Sequence, residues 1–408
     1  MVAQKAEGSR VFDVDNVGYI DYIGAGGSAI VGYANQFVLD AVRKVLAGGV
    51  PEGFHVPQEV DLAGTLSRFL PWAESWWFCR SQDDAFRHVI QWARQTTGKK
   101  RFLVLDGGAP LRVGAPPELV TERENPIRAV RGWDVPRILA ALTSGGTKLA
   151  ALIVDPLMGG FGVVPPPDGV LDEIAEACRD NGVLLVMDER VSGFRVHRGG
   201  ACALAGITPD AAVYGAALGG GFSIGAVSFR DEQPPLEGFD PLPTPHPVAL
   251  GAAEAILSIL KNDTVYEHLE KRTDQLVDGL LELADRFEWP LTINRVGSIF
   301  ALYLTDKPVV DRIGLRASDC DGYRRFAALL RTEGILLPRE PGRAGFISST
   351  HGGKDVEETL AASEKVLLNL HQGESPAASG GGGAPGRARA AGRHGGRRSC
   401  RPGGSGEG

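Results

Sequence analysis

Asp188 and Glu189 close a short apolar run, Leu184–Met187, and Arg195 follows a few residues on. Such a run reads as a buried strand, and a carboxylate at its C-terminal end stands where open α/β sheets place their ligands. Desolvation there is expected to raise the pKa of Asp188 and make it a candidate general acid or base. The plain alternative is that Asp188-Glu189 pairs with Arg195 or with backbone amides. His55, in the loop after Gly48-Gly49, and Asp155, behind the apolar run Leu149–Val154, are the other acid–base candidates. Arg80 can grip a carboxylate or phosphate in bidentate fashion, or neutralise Asp83. Glu189 and His246 complete the candidate substrate contacts. Cys79 has no base beside it in sequence and reads as a packing residue.

The elements that must position these groups alternate between strand and helix. Arg10–Ile23 alternates apolar and polar residues around an Asp-Asn-Val-Gly turn and predicts a hairpin. Residues 35–47 predict a helix behind an Asn cap, and Trp76–Arg94 a strand running into a helix. A strand at Arg101–Leu105, an irregular stretch over 111–135, a helix near 135–143 and the strand Leu149–Val154 continue the alternation. An Asp-capped helix over 168–181 leads into the strand of Asp188. Val213-Tyr214 reads as a further strand, with Gly219-Gly220-Gly221 as a tight turn, and residues 248–287 as one long helix. Domain boundaries follow: a hairpin arm at 1–34, a large α/β domain at 35–290, a small α+β lobe at 291–371, and a disordered Gly/Ala/Arg tail at 372–408.

Composition excludes several classes. Net charge is −7, so neither nucleic acid nor an anionic membrane is an expected partner. No apolar run is long enough to span a bilayer, and five scattered cysteines without metal-ligand spacing suit a reducing cytoplasm. No metal is expected.

The segment Asp188-Glu189…Gly193-Phe194-Arg195, then Pro209-Asp210 and Gly219-Gly220-Gly221, resembles the class III aminotransferases of the pyridoxal-phosphate fold-type-I group, most closely the glutamate-1-semialdehyde aminomutases. The resemblance covers about residues 10–370. It implies an α/β fold with a large, mostly parallel seven-stranded sheet flanked by helices, a smaller C-terminal lobe, and a dimer. It also assigns roles: Asp188 is the partner of the pyridine nitrogen, and Ala216 stands where the family carries its Schiff-base lysine. A methyl group can neither form that imine nor shuttle a proton.

Three further family contacts are altered. Where relatives hold the cofactor phosphate on Gly and Thr amides at a helix start, this chain has Gln82 and Asp83. A carboxylate about 4 Å from a phosphate costs roughly 4 kcal/mol at an effective dielectric near 20. Ala109 takes the place of the ring-stacking aromatic, and Leu242 that of a threonine reaching a partner's phosphate. His246, by the same register, would come from the neighbouring subunit.

The sequence therefore favours a frame that has lost ordinary transamination and binds no cofactor, with Asp188, His55 and Asp155 performing acid–base chemistry such as cyclisation, isomerisation or elimination on a small metabolite. Two alternatives stay open. One is a non-catalytic subunit paired with an active relative, in place of a homodimer. The other is an enzyme that keeps pyridoxal or pyridoxamine phosphate without the lysine.

Overall fold

The computed structural model describes residues 1–106, 127–158, 162–232 and 244–373. The positions of Ala109, Leu242 and the tail beyond residue 373 lie outside them.

Strands β1 (Ala3–Glu7), β2 (Arg10–Asp13) and β3 (Gly18–Asp21) open the chain. β2 and β3 pair antiparallel, as the alternating residues predict, and β1 adds to the other edge of β2. β3 pairs in parallel with the short strand Ile335–Leu336, which ties the N-terminus to the C-terminal lobe.

Helices α1 (Gln36–Ala47) and α2 (Pro57–Phe69) follow. The Asn35 side chain accepts from the Phe37 and Val38 amides and so starts α1 as its sequence foretells.

The central sheet contains β4 (Ser75–Cys79), β5 (Arg101–Asp106), β6 (Ile127–Arg131), β7 (Leu149–Val154), β8 (Leu184–Glu189), β9 (Ala211–Tyr214) and β10 (Gly225–Phe229). Their order is β4-β10-β9-β8-β7-β5-β6, and only β10 runs against the rest. β7 and β9 are buried along their whole length, and β8 nearly so, which is why they are continuous apolar runs instead of alternating ones. Helices α3 (Gln82–Thr97), α4 (Val135–Gly145) and α5 (Val170–Asp180) connect strands of this sheet.

Two local expectations are corrected. Helix α5 is preceded by Gly169 in a left-handed conformation with no side-chain cap, not by Asp168. The long helix is two, α6 (Pro247–Leu260) and α7 (Asp263–Arg286). Asn262 is extended at the break and its side chain accepts from the Thr264 amide, so a second helix nucleates there.

The C-terminal lobe carries a three-stranded antiparallel sheet of β11 (Thr292–Val296), β12 (Ile299–Tyr303) and the two-residue strand Gly345–Phe346, with α8 (Cys320–Thr332) and α9 (Gly353–Gly373). Among the described residues no helix is long and apolar enough to cross a membrane.

Candidate active site

The carboxyl ends of β4, β7, β8 and β9 bring together the start of α3, Asp155, Asp188 and Ala216. The strand order explains this: β8 lies between β7 and β9, and only β10 separates β9 from β4. Backbone contact fixes the spacing. A Cβ on Gly225 of β10 would fall on the Ser81 carbonyl just before α3, and one on Gly215 would collide with the Gln82 side chain.

Asp188 is buried, and both of its oxygens are taken. Arg190, two residues on, donates from Nε to Oδ1 and from Nη2 to Oδ2, each at 2.8 Å. The same guanidinium lies 4.5 Å from the Phe86 ring centroid and reaches Asp83 Oδ1 at 3.4 Å. Burial alone would lower the pKa of Arg190, but Asp188, Asp83 and Asp155 outweigh it and hold the guanidinium above its ordinary value. Arg190 thus joins the β8 end to the first turn of α3.

Glu189 faces the other way. It is fully buried and accepts from Ser192 Oγ at 2.5 Å, the Ala201 amide at 2.9 Å and the Cys202 amide at 2.6 Å. Burial raises its pKa while those donors pull it down, the net shift being upward. These contacts tie the end of β8 to the helical turn Gly200–Ala205. Of the two alternatives, Arg195 or backbone amides, Glu189 takes the amides, and Arg195 pairs with neither carboxylate. It is buried, donating to the Gly27 carbonyl at 2.6 and 3.1 Å and to the Ile347 carbonyl at 2.8 Å, and so ties the site segment to the N-terminal region and the C-terminal lobe.

Ala216 begins a single helical turn, Ala216–Gly219, directly after β9. Its amide donates to Gln82 Oε1 at 3.4 Å, so the Gln82 carboxamide covers Gly215-Ala216 from α3. Asp83 sits in the first turn of α3 beside Asp84, which Ser81 Oγ contacts at 2.7 Å.

The remaining candidates are engaged as follows. Asp155 is buried and accepts from the Leu157 amide at 3.1 Å, shaping the turn after β7. The side chain of His55 is 87% exposed and pairs with Glu59 at 3.0 Å. Arg80 is exposed and bonded to Glu52 at 2.8 Å, so the partner of Asp83 is Arg190, not Arg80. His246 precedes α6, its Nδ1 accepting from the Val248 amide at 3.2 Å. Cys79 is buried against His88, with Sγ 3.2 Å from Nδ1. Among the described residues no cluster of His, Cys, Asp or Glu has the arrangement of a metal site.

The residue that sequence reasoning missed is Arg190. The available signal was a cation inside Asp-Glu-Arg-Val-Ser-Gly-Phe-Arg, two positions past a buried acid. A strand end that bends can bring such a neighbour back onto the carboxylate.

The family model for class III aminotransferases matches residues 121–342. The chain is 32% identical over 385 residues to the glutamate-1-semialdehyde 2,1-aminomutase of Anaeromyxobacter sp. (strain Fw109-5), covering 89% of this chain and 90% of the relative. A glutamate-1-semialdehyde aminomutase of Pseudomonas aeruginosa PAO1, solved as a lysine-to-alanine variant in complex with PMP, superposes with a TM-score of 0.80 at 20% identity, over 91% of this chain and 88% of that one. A transaminase with PLP bound gives a TM-score of 0.80 at 23% identity, over 91% of each chain. These likenesses bear out the fold-type-I architecture. They overturn the expectation of a frame without cofactor, because the relatives are aminomutases and the superposed structures hold PLP or PMP.

Proposed function

This chain belongs to the class III aminotransferase family, and from that membership we propose that it acts on a small amino- or oxo-bearing metabolite with pyridoxamine phosphate held without a covalent bond. The observation that carries this is a pairing of presence and absence. The buried acid Asp188 is retained at the end of β8, while Ala216 stands after β9 without an amine. The Pseudomonas aminomutase, with alanine for one of its lysines and PMP bound, supports the reading.

The residues suit the group unequally. Asp188 suits a ring nitrogen, and in the first turn of α3 the Asp84 amide is taken by Ser81 Oγ, which leaves those of Gln82 and Asp83 for a phosphate. Asp83 opposes an anion there, yet it is partly neutralised by Arg190. As the side chains stand, both oxygens of Asp188 are occupied, so a ring nitrogen reaches it only in exchange for Arg190. When bound, pyridoxamine phosphate supplies the amino group and an electron sink. The chain's own part is to hold Asp188 through the β8 end, to keep that end rigid through Glu189, and to cover Ala216 with Gln82. Without an amine at position 216, the proton shuttling given to the family's lysine falls to Asp155 or to a group on the substrate. His246 would join the site only across a homodimer. The exposed apolar residues Phe37, Leu46, Phe54 and Val60 on and between α1 and α2 suit such an interface.

The Asp188–Arg190 pair favours one second reading, a subunit that is itself inactive beside a lysine-bearing relative. Titrating the dialysed full-length protein with pyridoxamine phosphate, and separately treating it with pyridoxal phosphate and borohydride, tests the first reading. Saturable quenching of tryptophan fluorescence by the amine, with no borohydride-stable mass gain from the aldehyde, is the expected pair of results. A stable adduct on another lysine, or no saturation, overturns it. Activity appearing only when a lysine-bearing relative is added supports the second reading instead.

A further inference from the structure

Arg190 meets Asp188 with a planar cation whose Nε–H and Nη2–H point at the two carboxylate oxygens, each at 2.8 Å. Its guanidinium carbon lies 4.5 Å from the Phe86 ring centroid, and Nη1 extends 3.4 Å to Asp83 on the first turn of α3. Arg190 is 5% exposed and Asp188 7% exposed, so this is a desolvated contact. A flat, delocalised, N–H-donating cation bound to a buried acid beside an aromatic face has the recognition features of a protonated nitrogen heterocycle.

We infer that Arg190 is an internal ligand of this site: its guanidinium takes the place at Asp188 of a protonated ring nitrogen, and the affinity for any pyridine-type cofactor is set by the exchange of one for the other. The inference rests on the proposed function, since it concerns the same acid. It adds a determinant that neither the family nor the fold assigns, a gate built from the residue two positions past that acid.

The energetics point the same way. Releasing Arg190 from Asp188 breaks two charge-assisted hydrogen bonds in a buried setting, and an incoming heterocycle regains one. Asp83 then keeps the freed guanidinium close, because its carboxylate already contacts Nη1. The gate therefore opens toward the helix terminus where a phosphate would lie, which lessens the repulsion of Asp83.

The test uses the full chain. Pyridoxamine phosphate is titrated by tryptophan fluorescence into wild type, Arg190→Met, Arg190→Lys and the double variant Asp188→Asn/Arg190→Met, with thermal melting of each protein in parallel. Arg190→Met keeps the stem over Phe86 but not the fork, and is expected to bind roughly tenfold tighter or more than wild type. Arg190→Lys, a point charge without the fork, falls between them and guards against a misfolded Met variant. The double variant loses the gain. Equal, saturable binding by all proteins overturns the gate while leaving the proposed function standing. A lower melting temperature without tighter binding makes Arg190 a structural brace and also overturns it. Binding by the Arg190 variants alone supports the gate and shows that wild type does not hold the cofactor unaided. Absence of binding by every protein defeats both readings.

Discussion

Gly200 stands directly against the Glu189 carboxylate: a Cβ on it would lie 2.7 Å from Oε1 and 2.8 Å from Oε2. The glycine also has a φ of +71°, a left-handed conformation that side chains resist. Gly200→Ala is therefore expected to cost about 2–3 kcal/mol through overpacking and backbone strain together. Urea unfolding measures it, and a loss near zero would show that the Glu189 clamp is not rigid.

Placing an amine at position 216 should confer covalent capture. Ala216→Lys, treated with pyridoxal phosphate and borohydride, is expected to gain one adduct mapped to residue 216 by peptide mass, where wild type gains none. Combining it with Arg190→Met should raise the yield at low cofactor concentration. An adduct at any other lysine in both proteins would place the chemistry elsewhere.

Three free cysteines among the described residues, Cys79, Cys178 and Cys202, are buried, and burial drives each thiol pKa up, that of Cys178 to about 12. Thiolate is the reactive form, so these three should resist an aromatic disulfide reagent in the native protein and react once it is unfolded. Mass mapping of the labelled peptides decides it. Rapid native labelling of Cys79 would show that the β4–α3 junction opens.

Acid should weaken the fold through His351. Burial lowers its folded-state pKa to about 4, from an ordinary value near 6.5. Between those values the unfolded chain binds the proton and the folded one does not, so stability falls as pH drops from about 6.5 toward 4 and this contribution levels off below. Its ceiling is of order 3 kcal/mol. The pH slope of wild type minus that of His351→Gln isolates it from carboxylates such as Glu189, whose raised pKa acts in the opposite direction. Identical slopes would count against it.

The capping break between α6 and α7 gives a smaller effect. Asn262→Ala removes the acceptor of the Thr264 amide and should cost about 1 kcal/mol, read from denaturant unfolding.

How much of this was legible in the sequence depended on what kind of signal each feature left. The strands β7, β8 and β9 are apolar runs and could be located from composition, as could the caps of α1 and the hairpin β2–β3. The break at Asn262 was hidden because apolar spacing continues through it, and only the extended backbone and the side-chain cap reveal two helices. In the site, the type and place of Asp188 and Ala216 were readable, since both are fixed to strand ends. What Asp188 touches was not. Sequence spacing offered Arg195, yet that residue turns to the Gly27 and Ile347 carbonyls, and the nearer Arg190 folds back onto the acid. Likewise Arg80 was open to a substrate anion or to Asp83, whereas the cation at Asp83 comes from the end of β8, and Arg80 reaches out to Glu52. Partners separated by a strand crossing carry no local pattern.

Gly225 lies so near the Ser81 carbonyl that no other residue fits there without moving main chain. The gap between β10 and the start of α3 is thus measured out by peptide groups, whatever side chains line it. A cradle dimensioned by backbone can be refurnished one residue at a time, and its walls stay where they were.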